Sequence, residues 1–389
     1  MRKNYLKLII AAFVSSTIFF SIHSCEKEEE NIKTYTPTGI AIDPNNFKGE
    51  VKNGEIVTLN PHQVYMMNGA IKISNGGKLV IPAGTKIIAT GGADSHVLVE
   101  QGGQIFANGT SGSPVVFTSE TKTDGSWGGI IISGKAPINN GSSAISEIGN
   151  MTYGGNEIED NSGVLNYVRI EFAGADLGTK KFNALSLFGV GSSTRIESIA
   201  VLHSDDDAIE IFGGTVNISN IVSLENASNA INFKDGWTGN ITNIFTKRKQ
   251  DGTGNNAIKG INNVSNFNAS PRSKTFIKNA TLIGGNDTGE SNGIWLSSGA
   301  FATIENAVLA SWDTGIKLES DSTVAHFNGK EKISEISFHS SNIINKVTAT
   351  STAGNPITIL DDTFTENTSA TGAGNAENLP TWAIGWSEL

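Results

Sequence analysis

The sequence predicts an all-β chain whose short strands stack as the coils of a parallel β-helix. After residue 45, no window keeps the 3.6-residue apolar period of an α-helix. Short alternating apolar runs recur instead, and Gly, Asn or Asp closes each of them. The runs repeat every 22 to 27 residues, a period typical of solenoids, in which each coil buries its apolar side chains by stacking on its neighbours.

Residues 1–24 have the features of a secretory signal peptide. A basic start precedes an apolar run over 8–22, which at 15 residues is too short to cross a bilayer. The run ends at Cys25, the single cysteine, with Ser24 before it, and this ending resembles a bacterial lipobox. The sequence therefore predicts that Cys25 is lipidated and anchors the chain to outer-membrane lipid.

Residues 25–45 are predicted to form an acidic, flexible tether. Glu26 and a run of glutamates at 28–30 follow the cysteine, and the segment has little apolar content. Such a stretch resembles the surface-export signal of Bacteroidetes lipoproteins. We therefore expect a lipid-anchored outer-membrane protein that faces the extracellular side.

The β-helix itself is predicted over 46–364, with about a dozen coils. Its repeats align in five pairs: 71–77 with 97–103, 199–202 with 221–224, 208–211 with 230–233, 293–296 with 315–318, and 279–282 with 306–309. Gly and Asn close the runs because they accept the left-handed turns that β-branched residues avoid, and stacked Asn side chains are expected to form ladders there. The alternative architectures, a β-propeller or a sandwich, usually have longer repeats.

Several segments depart from the repeat. Residues 139–163, 250–275 and 320–345 are predicted loop insertions on the solenoid. Residues 365–389 leave the pattern altogether. Trp382 and Trp386 in that tail are expected to plug the open end of the helix as a C-terminal cap.

Composition excludes several functions. The chain has 389 residues, enough for a sizeable core, and one Cys excludes both a disulfide scaffold and a Cys-rich metal site. A net charge of -10 argues against a nucleic-acid partner. Residues 129–135 match the spacing of a nucleotide-binding P-loop, but Ala136 replaces the required Ser or Thr and Pro137 opposes the required helix. We therefore expect no nucleotide.

Four blocks of sequence resemble a known family as a set. They are DGSWGGIIISGKAPIN at 124–139, YGG at 153–155, NSGVL with YVRIEF at 161–172, and IFGGTVN at 211–217. They are similar to the Bacteroidetes cell-surface right-handed parallel β-helix repeat lipoproteins, as is the ending around Trp386. The resemblance covers about 55–245 well. It implies a right-handed β-helix on the outer surface, and it brings no catalytic residues.

An acidic turn is the most suggestive candidate for chemistry. Asp205, Asp206 and Asp207 lie together, and a pair of carboxylates at a β-helix corner resembles the catalytic region of polygalacturonases. His203 beside them is a possible proton carrier. The same oxygens suit Ca²⁺, the one cofactor that the sequence suggests, and a plain solvated turn is the third interpretation.

A lyase needs a basic residue beside carboxylates. Lys234 and Asp235, with Lys247, Arg248 and Lys249 one coil later, are the residues in question. A basic surface corner explains them as well. Lys247 and Arg248 are also candidates for ligand binding.

Tryptophans are the candidates for stacking on sugars, because flat apolar rings pack on sugar faces. Trp237, Trp295 and Trp312 are the main candidates, and Trp295 and Trp312 are expected to lie one above the other. Filling the core is the competing role, also for Trp127.

Three functions follow from these predictions. The favoured one is a surface lipoprotein that binds a carbohydrate or a host ligand along a β-helix face, with a polysaccharide or a host glycan as the expected partner. A polysaccharide lyase or glycoside hydrolase of the β-helix type is the second, and a structural or adhesive surface protein is the third. The β-helix supports all three.

Overall fold

The computed structural model describes residues 40–249, 256–285, 290–339 and 343–388, all within one compact unit. The predictions for the signal peptide, for Cys25 and for the tether up to residue 39 lie outside the described residues. Ile40 is buried and pairs with Gly49, so the fold begins inside the segment predicted as tether. No helix in the described ranges is both long and apolar enough to span a bilayer.

The described residues contain 28 strands, and most of them are short. They are β1 (Ile40–Ala41), β2 (Lys48–Val51), β3 (Ile56–Thr58), β4 (Val64–Met67), β5 (Ile71–Ile73), β6 (Lys78–Pro82), β7 (Lys86–Ala89), β8 (His96–Val99), β9 (Gln104–Asn108), β10 (Val115–Ser119), β11 (Gly129–Ser133), β12 (Ala144–Ile145), β13 (Thr152–Tyr153), β14 (Gly163–Glu171), β15 (Leu185–Phe188), β16 (Arg195–Leu202), β17 (Ile209–Phe212), β18 (Ile218–Leu224), β19 (Ile231–Lys234), β20 (Ile241–Lys247), β21 (Asn256–Ile261), β22 (Lys274–Ile283), β23 (Asn292–Ser297), β24 (Phe301–Ala310), β25 (Thr314–Glu319), β26 (Ile333–Phe338), β27 (Asn345–Thr350) and β28 (Phe364–Glu366). One α-helix, α1 (Asp321–Phe327), and three 3₁₀ turns at Gly92–Asp94, Asp361–Thr363 and Thr381–Ala383 complete the secondary structure of these ranges.

The strands form two long parallel sheets that alternate along the chain. Sheet A has 12 strands in the order β1-β2-β5-β8-β11-β15-β17-β19-β21-β23-β25-β27, and only its β1–β2 pair is antiparallel. Sheet B has 14 strands and runs from β4 through β14 to β28, with β3, β6 and β9 joined beside this path. The chain thus winds as a right-handed parallel β-helix, which confirms the predicted fold class.

The predicted repeats stack in register. Ile71 pairs with Val97, Ile199 with Ile221, and Ile294 with Ile316. These side chains point inward and are fully buried in one continuous apolar core. The period of 22 to 27 residues is therefore one turn of the solenoid.

A left-handed residue bends each long strand of sheet B. The first half of β14 pairs with β9 and the second half with β10, and Tyr167 at the junction has φ 49°. In later coils Asn220, Asn243, Asn279 and Asn306 take this position, with φ of 55°, 55°, 57° and 54°. Each amide from Asn243 onward donates to the Asn of the preceding coil at 2.8–2.9 Å. This is the asparagine ladder that the sequence predicts.

The three predicted insertions differ in kind. The segment from 139 forms the β12–β13 hairpin, whose Tyr153 packs with Ile138 on Phe188 and Phe212 outside sheet A. The other two predicted insertions contain repeat strands: β21 lies within 250–275, and β26 within 320–345. Helix α1 also lies in the last stretch and adds Val324 and Phe327 to the main core. The prediction of irregular loops was therefore wrong for much of these two segments.

The C-terminal segment does not plug the end of the β-helix. After β28, residues 367–388 run back across the outer side of sheet B as a C-terminal strap. Its Trp386 is fully buried, packs with Ala200 and Val222, and meets Tyr167 edge to face at 5.6 Å. The predicted cap was wrong in position, because the small outward side chains of β16 and β18 leave room for the tryptophan in the middle of the sheet.

Candidate functional site

The outward face of sheet A carries the polar side chains that could do chemistry. In β17, Ile209 and Ile211 point into the core, so Glu210 and Phe212 point outward, as strand alternation requires. Register then places Asn232 next to Glu210 and Lys234 next to Phe212. A row of polar residues from successive coils results.

Two carboxylates share one amide at the centre of this face. The Nδ2 group of Asn232 donates to Asp207 Oδ2 at 2.8 Å and to Glu210 Oε1 at 2.9 Å. Glu210 also accepts from Asn183 at 2.7 Å and pairs with Lys234 at 2.8 Å. Asp207 and Glu210 are 4% and 6% exposed, so these partners replace the water that a buried polar group requires.

Burial is the main influence on the acidity of Glu210. It raises the pKa of Glu210 to about 8, and the nearby charge of Asp207 acts in the same direction. Lys234 opposes the shift without cancelling it. Glu210 is thus a carboxyl group that holds its proton near neutral pH, a property that general acids need.

A second asparagine ladder extends from Asp207 along the starts of the next strands. The amide of Asn229 donates to Asp207, that of Asn256 to Asn229, and that of Asn292 to Asn256, at 2.7–2.9 Å. Every donor points toward the carboxylate, and hydrogen bonds aligned in this way polarise one another. The ladder ends at Asn292 Oδ1, a buried oxygen without a partner in the described part of the chain.

A groove of about 390 Å³ lies over the end of this ladder. Asn229, Asn256 and Asn292 line it together with Lys259, Glu290, Trp295 and Lys317. Trp295 is half-buried, with the ammonium groups of Lys259 and Lys317 at 4.9 and 5.3 Å from its ring centre. Because these lysines belong to the coils before and after it, they approach opposite faces of the ring. The outer edge of the ring is therefore the part that a ligand meets.

One family model matches residues 49–387, nearly the whole described chain, and it is a pectate-lyase-like β-helix domain. The chain belongs to this pectate-lyase-like β-helix family. No curated protein and no solved structure matches the chain.

In this pectate-lyase-like chain, the carboxylates of the acidic turn do not all point to one site. Asp207 faces the asparagines of sheet A, whereas Asp205 forms an ion pair with Lys181 at 2.8 Å. Burial raises the pKa of Asp206 to about 6, with the charge of Asp207 as the next cause. In the described ranges no three His, Cys, Asp or Glu side chains are arranged to hold a metal ion.

His203 directly follows strand β16 of sheet B and comes two residues before the acidic turn. Its Nδ1 is 3.9 Å from Asp124 and 3.7 Å from Glu225, and its ring stacks on Phe172. It faces neither Asp207 nor Glu210 through any described contact. The titratable group beside Asp207 is therefore Glu210 and not His203. Glu210 was not among the site residues predicted from the sequence.

The basic residues proposed for a lyase are split between two corners of the β-helix. Lys234 ends strand β19 of sheet A, whereas Lys247 ends strand β20 of sheet B, the next strand along the chain. Arg248 is 5% exposed and donates to the backbone carbonyls of Ala227, Ser228 and Asn256. The predicted ligand role of Arg248 is therefore wrong, because its guanidinium stabilises a turn.

Most of the tryptophan candidates fill the core. Trp127, Trp237 and Trp312 are at most 1% exposed, and each indole N–H donates to a backbone carbonyl. Burial therefore contradicts a stacking role for Trp237 and Trp312. Trp295 pairs in register with Lys317 and not with Trp312, so the expected stack of two tryptophans is also wrong.

The asparagine ladder and the two lysines were not identified from the sequence as site residues. Their signal was the strand alternation around them, since Lys259 and Lys317 each follow an inward isoleucine in equivalent coils. The outward positions of successive repeats therefore indicate these lysines and asparagines as a group.

Proposed function

We propose that this protein binds a carbohydrate polymer on the outward face of sheet A, at the groove around Trp295. The observation that carries the proposal is an open groove in which Lys259, Glu290 and the outer edge of Trp295 lie together over the end of the asparagine ladder. Charged donors and acceptors beside an apolar edge suit the hydroxyl groups of a sugar.

The side chains around the groove support a sugar over an apolar ligand. Lys259 has no carboxylate within ion-pair distance in the described ranges, so its ammonium group is open to ligand oxygens. Glu290 pairs with Lys317 at 2.6 Å and offers acceptors at the opposite edge. The outer edge of Trp295 adds apolar surface that can contact the C–H groups of a sugar. Because the ladder crosses successive coils, an extended chain would meet the same chemistry repeatedly.

We further propose that the protein carries out this binding at the extracellular side of the outer membrane, held by lipidated Cys25. The apolar run before Cys25 and the acidic stretch after it support this proposal. Membership of a pectate-lyase-like family is compatible with a ligand of this class.

The test is binding of a soluble form without the anchor, from Lys33 onward, to a panel of immobilised polysaccharides. We expect Trp295→Ala to weaken binding to the recognised polymer about tenfold or more, since contact residues of this kind cost above 1 kcal/mol. Lys278→Ala is the matched control, because Lys278 is an ion-paired lysine on sheet B, away from the groove. Equal binding by Trp295→Ala and the control would refute the groove as the site.

The same samples distinguish the two alternatives. Release of new reducing ends with calcium present, lost in Asp206→Ala or Asp207→Asn, would identify a lyase or hydrolase. Absence of both binding and release across the panel would leave a structural or adhesive surface protein.

A further inference from the structure

A second cavity, of about 520 Å³, lies between the C-terminal strap and the outer side of sheet B. One row of sheet B forms its floor, where Leu202 and Leu224 stack in register and are followed by Lys247 and then Ile283 in the next two coils. Residues 377–379 and 387–388 of the strap form the facing wall. The cavity therefore exists only while the strap is in place.

The floor of this cavity is apolar and one of its edges is aromatic. Phe172 and His203 stack with ring centres 5.3 Å apart and planes 8° apart. Phe245, 4% exposed, closes the space beneath. A concave surface that combines apolar side chains with placed polar groups is the usual form of a site for a small organic molecule.

The rim of the cavity is acidic. Glu171, Glu225, Glu377 and Glu388 line it, against Lys247 as the one lining Lys or Arg. Arg169 pairs with both Glu171 and Glu388, and His339 contacts Glu377. Glu225 differs from these three. Its side chain is 54% exposed, and within the described ranges its nearest basic group is His203 at 3.7 Å.

We propose that this cavity binds a small organic cation with an apolar body, an alkylamine or arylamine, whose ammonium group pairs with Glu225. The hydrocarbon body lies on Leu202 and Leu224, and the C-terminal strap closes over it. An anion of the same shape is repelled by the four carboxylates, and a neutral analogue gains only the apolar contact.

The test compares hexylamine, 1-hexanol and hexanoate by calorimetry on the full chain. We expect hexylamine to bind up to about fivefold more tightly than hexanol, and hexanoate to bind more weakly than either, because an ion pair with a half-exposed carboxylate contributes modestly. Glu225→Gln should remove the preference for the amine. Glu305→Gln is the control, since Glu305 pairs with Lys278 elsewhere on sheet B. Equal affinities for the amine and the alcohol, or no binding of the amine, would overturn the proposal.

A second readout uses the strap itself and does not depend on any variant folding. Chymotrypsin cleaves after tryptophan, and Trp382 and Trp386 are held against sheet B in the strap. If the ligand binds only the closed form, hexylamine at ten times its dissociation constant slows this cleavage about tenfold. Unchanged cleavage at saturating hexylamine would show that the amine does not occupy the space under the strap, which also overturns the proposal.

Discussion

Asparagine at the bend of sheet B is expected to stabilise the β-helix both through its side chain and through its backbone. Asn243 donates to Asn220 and accepts from Asn279, both at 2.9 Å, and its φ is 55°. Replacing it with alanine removes two hydrogen bonds, at about 1 kcal/mol each. Alanine also enters the left-handed region, at about 1 kcal/mol more. We therefore expect Asn243→Ala to lower the free energy of unfolding by about 3 kcal/mol.

Glycine at the same position separates the two contributions. Asn243→Gly loses the same hydrogen bonds but tolerates the left-handed backbone, so it should be about 1 kcal/mol more stable than Asn243→Ala. Urea titration of both variants gives the comparison. Thr242→Ala, on the neighbouring half-exposed position, is the control and should change stability by less than about 0.5 kcal/mol. Equal losses for alanine and glycine would refute the argument from backbone conformation.

Two further predictions concern a buried acid and a close backbone approach. The pKa of Glu210 is about 8 in the fold and near its ordinary value when unfolded, so the unfolded chain binds fewer protons between those values and stability falls as pH rises. Urea titrations at pH 6 and pH 8 should show a fall of about 2 kcal/mol that is absent in Glu210→Gln, and parallel pH profiles would contradict this reasoning. Gly163 has φ 113°, and a Cβ there would lie 1.9 Å from the carbonyl oxygen of Ile105, whereas Gly112 has open space. Gly163→Ala should therefore lower the melting temperature strongly while Gly112→Ala leaves it within a few degrees, and similar melting temperatures would show that the backbone at Gly163 can move.

The sequence predicted the coils well because stacking imposes one period on every inward residue. Ile294 and Ile316 had to align, since neither can be buried without the other. The outward positions obey no such requirement. The direction of Trp295 could still be read, because it stands between inward Ile294 and Leu296 on one strand. Trp237 and Trp312 lie in turns, where the two-residue alternation stops and burial cannot be read from neighbours.

The C-terminal strap could not be predicted for a different reason. Its contacts join residues that are far apart in the chain, as Thr281 does with Ala376 across 95 positions. No local pattern in 367–388 records that destination. Glu210 and Asp207 illustrate the same difficulty at the site, since Asn232 of the following coil decides which carboxylates face each other.

The strap changes how the solenoid can come apart. A solenoid with contacts only between neighbouring coils can lose its end coils one at a time. Here the segment that leaves the last coil returns to Arg169 and Tyr167 of β14. The strap therefore connects the last coil of sheet B directly to a coil in the middle of the sheet. Separation of the final coil from its neighbour therefore also disturbs the contacts of the strap in the middle of the sheet. Without the strap, Ala200 and Val222 of the middle coils would lose the cover that Trp386 gives them.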